Sequence, residues 1–443
     1  MLDRVFAKHT GNLRYTSANA LLVASAFAWY FLAYSSILTM AKVSFENDLI
    51  TIIGVNIAGI ALSAIFGAKI TDYLKKRSSF LFYWIFAGIF VSLLPIVLSP
   101  INMTNIVIIA ALFGIYFGVG MPIVMGYFAA NTKYNNRSTI GGITFLFIGL
   151  SIALLSQIGS ENIVNSCLIL AFLKLVSLVI LYLLKLSDDM PKDQTIISYK
   201  NVFLNRGFVL FLLPWLMFNL VNYMTMPVLN NFDMGEKLIH LSLMAETIIT
   251  ALVAVIAGLL ADKFGRKRLL IVGFAFLGIG YAVLGLSQST IGWFFYTCAD
   301  GVAWGIFFTL FLFTIWGDLA KSKNGEKFYV IGAMPYLFSN FMRLLLESYV
   351  KEISKDVLFS YASIFIFLAV LPLIIAPETL SEKIMKKREL ENYVKDALKK
   401  VQKESEKERS SNSQDSEDLD SNQNTPESSS GDEEARRLAE KYY

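Results

Sequence analysis

The chain has 443 residues, of which 55% are hydrophobic and 17% charged, with a mean hydropathy of +0.55 and a formal net charge of +4. Soluble proteins carry roughly 25% charged residues, so this composition excludes a water-soluble enzyme and also a disordered or collagen-like chain. The two cysteines and two histidines indicate neither a metal site nor a disulfide framework, and we expect no cofactor.

Twelve runs of apolar residues follow one another along the chain, each close to the roughly 20 residues that a helix needs to cross a bilayer. They cover residues 17–39, 48–70, 79–99, 104–127, 138–158, 162–185, 207–228, 240–261, 267–287, 290–315, 328–350 and 357–378. We number them span one to span twelve. Strands of a membrane β-barrel would instead alternate over about 10 residues, so the sequence predicts an all-α integral membrane protein.

The loop charges predict the orientation. Twenty Lys and Arg residues lie in one alternating set of loops and only four in the other set. Because positively charged loops resist translocation, both termini are predicted to be cytoplasmic. An even number of spans agrees with this topology.

A polar stretch over residues 186–206 divides the spans into six and six. A constant offset of 190 residues aligns Asp72 with Asp262, Lys76 with Arg266, Arg77 with Lys267, Arg137 with Lys327, and Gly142 with Gly332. Several matches at one offset indicate a duplicated six-helix unit, residues 17–185 and 207–378. Two such halves related by an axis along the membrane normal are a recurring transporter plan, with the substrate between them near the midplane.

The loop between spans eight and nine carries a specific motif. It contains Gly258, Asp262, Gly265, Arg266 and Lys267. Gly258 allows two helices to approach closely, Asp262 can accept hydrogen bonds from the free N–H groups of a neighbouring helix start, and Gly265 permits a tight reversal. The pattern resembles the signature of the major facilitator superfamily, over about residues 17–380. In that family the loop closes the cytoplasmic side and is released as the transporter changes face.

The first-half copy of this gate motif departs from the pattern. It retains Asp72, Lys76 and Arg77 but replaces both glycines, so an ordinary positively charged loop explains it equally well. Residues 377–379, Pro-Glu-Thr, are similar to the segment after span twelve in sugar porters, as are Arg137 and Gly142 at the entry to span five. The segment that sugar porters carry after span six has no counterpart here.

Five ionisable residues lie within predicted spans, where each costs about 2.5–3.5 kcal/mol and requires a reason. They are Lys174, Glu246, Asp300, Arg343 and Glu347. We expect Glu347 to pair with Arg343 one turn away, and Lys174 to snorkel or to be satisfied locally. The resemblance implies that spans one, four, seven and ten line the cavity, so Asp300 is a candidate for substrate contact or proton transfer. A structural bridge from Asp300 or Glu246 to Arg343 is the alternative.

Uncharged side chains on the same spans complete the predicted substrate site. They are Tyr30 and Tyr34 in span one, Tyr116 in span four, Asn219, Asn222 and Tyr223 in span seven, and Trp304 in span ten. Amide and phenol groups among aromatic walls suit a neutral polyol or a small organic acid. Since 14% of the chain is aromatic, most such rings are expected to be core or membrane-belt residues.

The sequence thus predicts a monomeric plasma-membrane transporter in the major facilitator fold. It moves a small solute, sugar-like or a small organic metabolite, by alternating access, and proton coupling is left open. An exporter of drugs or metabolites and a non-transporting sensor on the same fold remain alternatives. We expect no nucleic-acid partner. The remaining predicted segments are a cytoplasmic N-terminus over 1–16, the linker over 186–206, a charged helix over 379–408 and a disordered tail over 409–443.

Overall fold

The computed structural model describes residues 13–74, 76–100, 102–159, 162–183, 196–229, 236–320 and 325–380, together with 390, 393, 394 and 398. Nearly all of these residues are helical. Most of the predicted N-terminal segment, the first part of the linker, most of the charged helix and the whole tail lie outside the described residues.

Twelve helices in the described ranges are long and apolar enough to cross a membrane, which confirms the predicted number of spans. Those of the first half are Leu13–Ser44, Leu49–Ile70, Arg77–Ser92 with Leu94–Leu98, Met103–Ala130, Arg137–Gly159 and Ile163–Leu183. Those of the second half are Arg206–Leu229, Glu236–Phe264, Arg266–Leu286, Thr290–Phe307 with Phe308–Thr314 and Ile315–Leu319, Glu326–Lys351, and Lys355–Leu368 with Val370–Ile375. A short helix, Tyr199–Phe203, precedes span seven.

Local sequence explains several helix boundaries. Side chains with a good capping oxygen precede two spans: Asn102 accepts a hydrogen bond from the Asn105 N–H at 2.9 Å, and Ser289 caps span ten in the same way. Gly265 alone separates spans eight and nine, at a φ of +103°. This conformation is open to glycine and strained for other residues, so the predicted tight reversal is confirmed.

Span ten contains a π-helical stretch over Phe308–Thr314. A π-helical turn shifts the backbone hydrogen-bond register and frees carbonyl groups. Two of these are satisfied here: Thr314 donates its hydroxyl to the Thr309 carbonyl, and the Tyr329 hydroxyl donates to the Phe313 carbonyl, each at 2.8 Å. Phe308 and Phe311 of this stretch face the interior between the halves.

The helix packing repeats between the halves. Span one packs on span five as span seven packs on span eleven, and span two packs on span four as span eight packs on span ten. Spans three and six match spans nine and twelve in the same way. The contacts between halves follow the same rule, because span five meets span eight and span two meets span eleven. The duplication inferred from the 190-residue offset is therefore present in the packing.

Candidate functional site

The gate motif joins span eight to the start of span five. The Asp262 carboxylate accepts hydrogen bonds from the backbone N–H groups of Ser138 at 3.3 Å and Thr139 at 2.8 Å, and from the Thr139 hydroxyl at 2.8 Å. These N–H groups belong to the first turn of a helix and have no partner within it. A Cβ atom on Gly258 would lie 2.9 Å from the Thr139 Cα. Both geometric expectations for this motif are confirmed.

Arg266 of the motif lies in a buried charge network. Its Nε donates to the Ser138 hydroxyl at 3.1 Å, and its other nitrogens contact the carboxylates of Asp262 and Asp318. The second oxygen of Asp318 accepts from Arg137 Nη1 at 2.6 Å. Because Arg137 begins span five and Asp318 ends span ten, this carboxylate links the two halves. Sequence reasoning missed Asp318, whose only signal was an acid at the edge of a mostly basic loop.

Tyr134, in the loop before span five, lies against the same network. Its hydroxyl donates to the Asp318 carbonyl at 2.8 Å, and its ring stacks under the Arg137 guanidinium at 5.0 Å. Burial raises the pKa of Tyr134, and the nearby Asp318 charge acts in the same direction. The phenol therefore remains a neutral donor at physiological pH.

The first-half copy also links the halves, but with a different geometry. Lys327 Nζ, at the start of span eleven, donates to Asp72 at 2.7 Å and to the Ile197 carbonyl at 2.8 Å. Arg77 Nε pairs with Glu326 at 2.7 Å, with both side chains buried. Asp72 thus accepts from a side chain where Asp262 accepts from a helix start, consistent with the two lost glycines. Glu326 was not predicted.

The two remaining motif residues are Lys76 and Lys267. Lys76 is exposed. Lys267 Nζ donates to the Ile374 and Ala376 carbonyls at 2.8 and 2.9 Å, and its N–H donates to Glu378 at 3.1 Å. The Pro-Glu-Thr segment and Lys267 therefore fasten span twelve to the start of span nine within the second half.

A narrow cavity lies between the halves, beyond the gate network, with about 50 Å³ open to the centre of a water molecule. Spans one, two and four contribute its first-half wall, and spans seven, ten and eleven its second-half wall. Rings dominate the lining: Phe27, Tyr30, Phe31, Phe117, Trp215, Phe308, Phe311, Trp316, Tyr329 and Tyr336. Two methionines and several aliphatic side chains complete it. No lining residue carries a formal charge.

The polar groups of the lining are mostly engaged already. Trp215 Nε1 donates to the Gly332 carbonyl at 2.9 Å, and the Tyr329 hydroxyl donates to the Phe313 carbonyl. Tyr30 stacks on Phe117 with centroids 4.3 Å apart. The cavity is therefore an aromatic chamber with few free hydrogen-bonding groups.

The predicted substrate residues divide into three sets. Tyr30 lines the cavity, and two others lie beside it: the Tyr34 hydroxyl accepts from Asn340 Nδ2 at 3.0 Å, and the Tyr223 ring meets Tyr336 edge-on at 5.6 Å. The Tyr34–Asn340 hydrogen bond joins span one to span eleven, so it also crosses between the halves.

A second set faces the interior of the second half. Asn219 donates to the Trp215 carbonyl of its own helix at 2.6 Å, and Asn222 donates to the Asp300 carboxylate at 3.2 Å. Trp304 stacks on the cavity residue Phe308 with centroids 4.6 Å apart. Asn219, Asn222, Asp300 and Trp304 are all buried, and none of them lines the cavity.

Asp300 and Glu246 form an acidic pair in this interior. Asn222, Tyr296 and Trp304 interact with the Asp300 carboxylate, and Glu246 of span eight is close enough to act on it electrostatically. No Lys or Arg of the described ranges pairs with either acid. The alternative of a structural bridge to Arg343 is therefore wrong.

The predicted Arg343–Glu347 pair is also wrong. Glu347 accepts from Lys351 Nζ at 2.7 Å, and both side chains are about 40–45% exposed. Arg343 is half-buried, and its Nη1 lies 3.9 Å from the Met226 sulfur. Arg343 and Lys351 each lie one helical turn from Glu347, and Glu347 pairs with Lys351 while Arg343 faces Met226 of span seven.

Tyr116 lies away from the cavity, in a cage around Lys174. The Lys174 Nζ is 4.9, 4.3 and 5.1 Å from the ring centroids of Trp29, Trp84 and Tyr116, respectively. Cation–π attraction stabilises an ammonium in such a position. Lys174 is thus satisfied locally, which is one of the two outcomes expected from the sequence.

Within the described ranges no group of three His, Cys, Asp or Glu residues is placed to hold a metal ion.

These features define the major facilitator fold: two six-helix halves, a shared central cavity, and a charged network at one end. Comparison with solved structures confirms it. FucP, a major facilitator superfamily transporter solved in the outward conformation, matches this chain over 81% of its length and 98% of FucP's own at 11% identity, with a TM-score of 0.64.

Two further structures give similar matches. The proton:xylose symporter XylE bound to 6-bromo-6-deoxy-D-glucose covers 83% of this chain and 96% of its own at 15% identity, with a TM-score of 0.60. The human organic anion transporter MFSD10 (TETRAN) covers 82% and 100% at 12% identity, with a TM-score of 0.57. No family model and no curated protein matches the sequence. At these identities the similarity shows the fold.

Proposed function

We propose that this protein is a transporter that moves a small solute by alternating access, as a monomer in the plasma membrane with both termini in the cytoplasm. The observation that carries the proposal is the cavity lined by both halves, with ion pairs between the halves at its predicted cytoplasmic end. Arg77–Glu326, Arg137–Asp318 and Lys327–Asp72 would all have to separate for the cavity to open to that side.

The cavity favours a small organic metabolite over a sugar. A sugar exposes hydroxyl groups all round, and each one that loses water needs a hydrogen-bond partner. Trp215, Tyr329 and Tyr336 of this lining already have hydrogen-bond partners within the protein, whereas the rings offer extensive apolar contact. The bound solute therefore has an apolar body.

Solute flux tests transport directly. Proteoliposomes are offered labelled glucose, xylose, tryptophan and p-aminohippurate, with Ala333→Trp as the variant that fills the cavity and Leu371→Trp as its control. Ala333 lines the cavity, whereas Leu371 of span twelve is 55% exposed on the outer surface. We expect protein-dependent uptake of at least one solute that Ala333→Trp reduces at least tenfold and Leu371→Trp leaves within twofold. Binding without any flux would identify a sensor instead.

We propose further that the Asp300–Glu246 pair carries a coupled proton. Two carboxylates that share a buried site without a cation favour binding one proton between them. An imposed pH gradient should accelerate wild-type uptake, and Asp300→Asn should abolish that acceleration while preserving exchange without a gradient. Glu347→Gln removes an exposed carboxylate and serves as the control. A full gradient response in Asp300→Asn would show that Asp300 is not the proton carrier.

A further inference from the structure

Arg343 of span eleven is a cation that no acid of the described residues pairs with. Its Nε is buried and has no hydrogen-bond partner among the described residues, and its Nη1 lies 3.9 Å from the weak acceptor Met226 Sδ. No carboxylate of the described residues lies within 4.0 Å of the guanidinium. Guanidinium groups at such depth are costly unless they are paired. The protein therefore retains an expensive charge that none of the described side chains neutralises.

The position of Arg343 relates it to the cavity. It follows the cavity residues Tyr336 and Leu337 on span eleven by about two helical turns. Side chains on a helix lean towards its N-terminus, so the long Arg343 side chain points back along the helix in the direction of Tyr336. Its charge acts electrostatically on the hydroxyls of both Tyr34 and Tyr336.

Polar groups from both halves surround this end of the cavity. Tyr34 comes from span one, Tyr223 from span seven, and Tyr336 and Asn340 from span eleven. The Tyr34 hydroxyl accepts from Asn340, which leaves its own proton available to an acceptor. A guanidinium with neighbouring hydroxyl donors is the arrangement that binds carboxylate or a similar anion. The aromatic chamber and this polar end together form one elongated site, apolar in the chamber and cationic with hydroxyl donors at the Arg343 end.

We propose that Arg343 binds the anionic headgroup of an amphipathic organic anion whose apolar body occupies the aromatic cavity. This assigns a substrate class to the proposed transporter and therefore rests on that function. Contacts of the headgroup to residues of both halves would also allow the substrate to influence how the halves meet.

Equilibrium binding to the purified protein tests the assignment without requiring flux. The probes are three matched pairs of an acid and its uncharged amide: benzoate and benzamide, 3-phenylpropionate and 3-phenylpropionamide, octanoate and octanamide. Trp215 and Trp316 line the cavity, so ligand binding is followed by tryptophan fluorescence, in a buffer whose anion is gluconate. The variants are Arg343→Gln, Arg343→Lys and the control Lys351→Gln. Lys351 lies two turns further along the same helix and its side chain is 45% exposed.

We expect the wild type and Lys351→Gln to bind at least one acid ten or more times more tightly than its amide. Arg343→Gln should reduce this preference to below twofold with the amide affinity unchanged, and Arg343→Lys should retain part of it. A wild type without acid preference, or an Arg343→Gln variant that keeps it, would overturn the proposal. The comparison of acid with amide in the wild type requires no variant. It therefore still decides the proposal if a variant misfolds. If the acid binds in a way that depends on Arg343 but no solute flux is found, the proposed transport function is refuted and the proposed anion-binding site stands.

Discussion

Removal of the Asp318 carboxylate is the sharpest test of how the halves are held together. Asp318 contacts two guanidinium groups, those of Arg137 and Arg266, and its side chain is fully buried, with 0% exposure, as is that of Arg266. Arg137 comes from the first half and Arg266 from the second. The Asp318→Asn substitution preserves the shape of the side chain but leaves two buried cations with less negative charge.

The expected magnitude follows from these contacts. Removing one partner from a buried ion pair costs about 3–5 kcal/mol. Arg137 keeps hydrogen bonds to Thr132 and the Ala129 carbonyl, and Arg266 keeps Asp262, so the lower end of this range applies. Of the two ion pairs that Asp318 makes, only the one with Arg137 is lost when the halves separate, since Arg266 and Asp318 share one half. About 3 kcal/mol shifts the equilibrium towards the open state on the order of 100-fold.

Cysteine labelling measures this shift. Met125→Cys places a thiol on the cavity wall, in a background where Cys167 and Cys298 are replaced by alanine. A membrane-impermeant maleimide added from the predicted cytoplasmic side reaches this thiol only when the network opens. Labelling in Asp318→Asn should be faster on the order of 100-fold, because the open state is the minor one in the wild type.

The control for this experiment is Glu347→Gln, which removes an exposed ion pair worth about 0–1 kcal/mol. It should leave the labelling rate within about twofold of the wild type. If Asp318→Asn elutes as a monodisperse protein and yet labels no faster than this control, Asp318 does not hold the halves together and the argument from burial fails.

Three further predictions follow from single sites. Gly258→Ala should slow transport at least tenfold, because the added Cβ would collide with the span-five backbone. The control is Gly149→Ala on span five, where a Cβ meets nothing within 4 Å and transport should not slow. Equal transport rates of the two variants in a flux assay would contradict this prediction. Lys174→Met should raise the thermal unfolding temperature, since an apolar side chain avoids the desolvation of a buried ammonium; a large decrease would show that the aromatic rings more than compensate it. Burial raises the pKa of Tyr199 to about 12, above the ordinary value of 10.0. Because the phenol of the unfolded chain ionises first, the free energy of unfolding should fall from pH 10 to 12. In alkaline unfolding measurements, Tyr199→Phe should show a smaller decline.

The gate motif shows how far local chemistry can be predicted. Gly258, Asp262 and Gly265 have roles that depend on the backbone nearby: a close helix crossing, unpaired N–H groups at a helix start, and a positive φ. Each of these needs is met by few residue types, so the residue identities reveal the geometry. The first copy lacks the glycines, and its Asp72 correspondingly adopts another partner, Lys327.

The charged partners and the cavity lining were far less predictable. Asn219 and Asn222 were expected to face the cavity with Tyr223, but the rotation of span seven turns both amides into the second half. Arg343 was expected to pair along its own helix and faces span seven instead. A helix presents several sequence-compatible faces, and only the packing of its neighbours selects among them.

The sequence by itself determined the number of spans, their duplication and the gate motif, because bilayer thickness and backbone hydrogen bonding impose strong and local requirements on residue type. Only the tertiary structure decided which aromatic rings form the cavity, that Asp318 and Glu326 join the halves, and that Arg343 has no carboxylate partner among the described residues. These facts depend on helix rotation and on contacts between residues more than 100 positions apart. The apolar composition of a helix specifies neither of them.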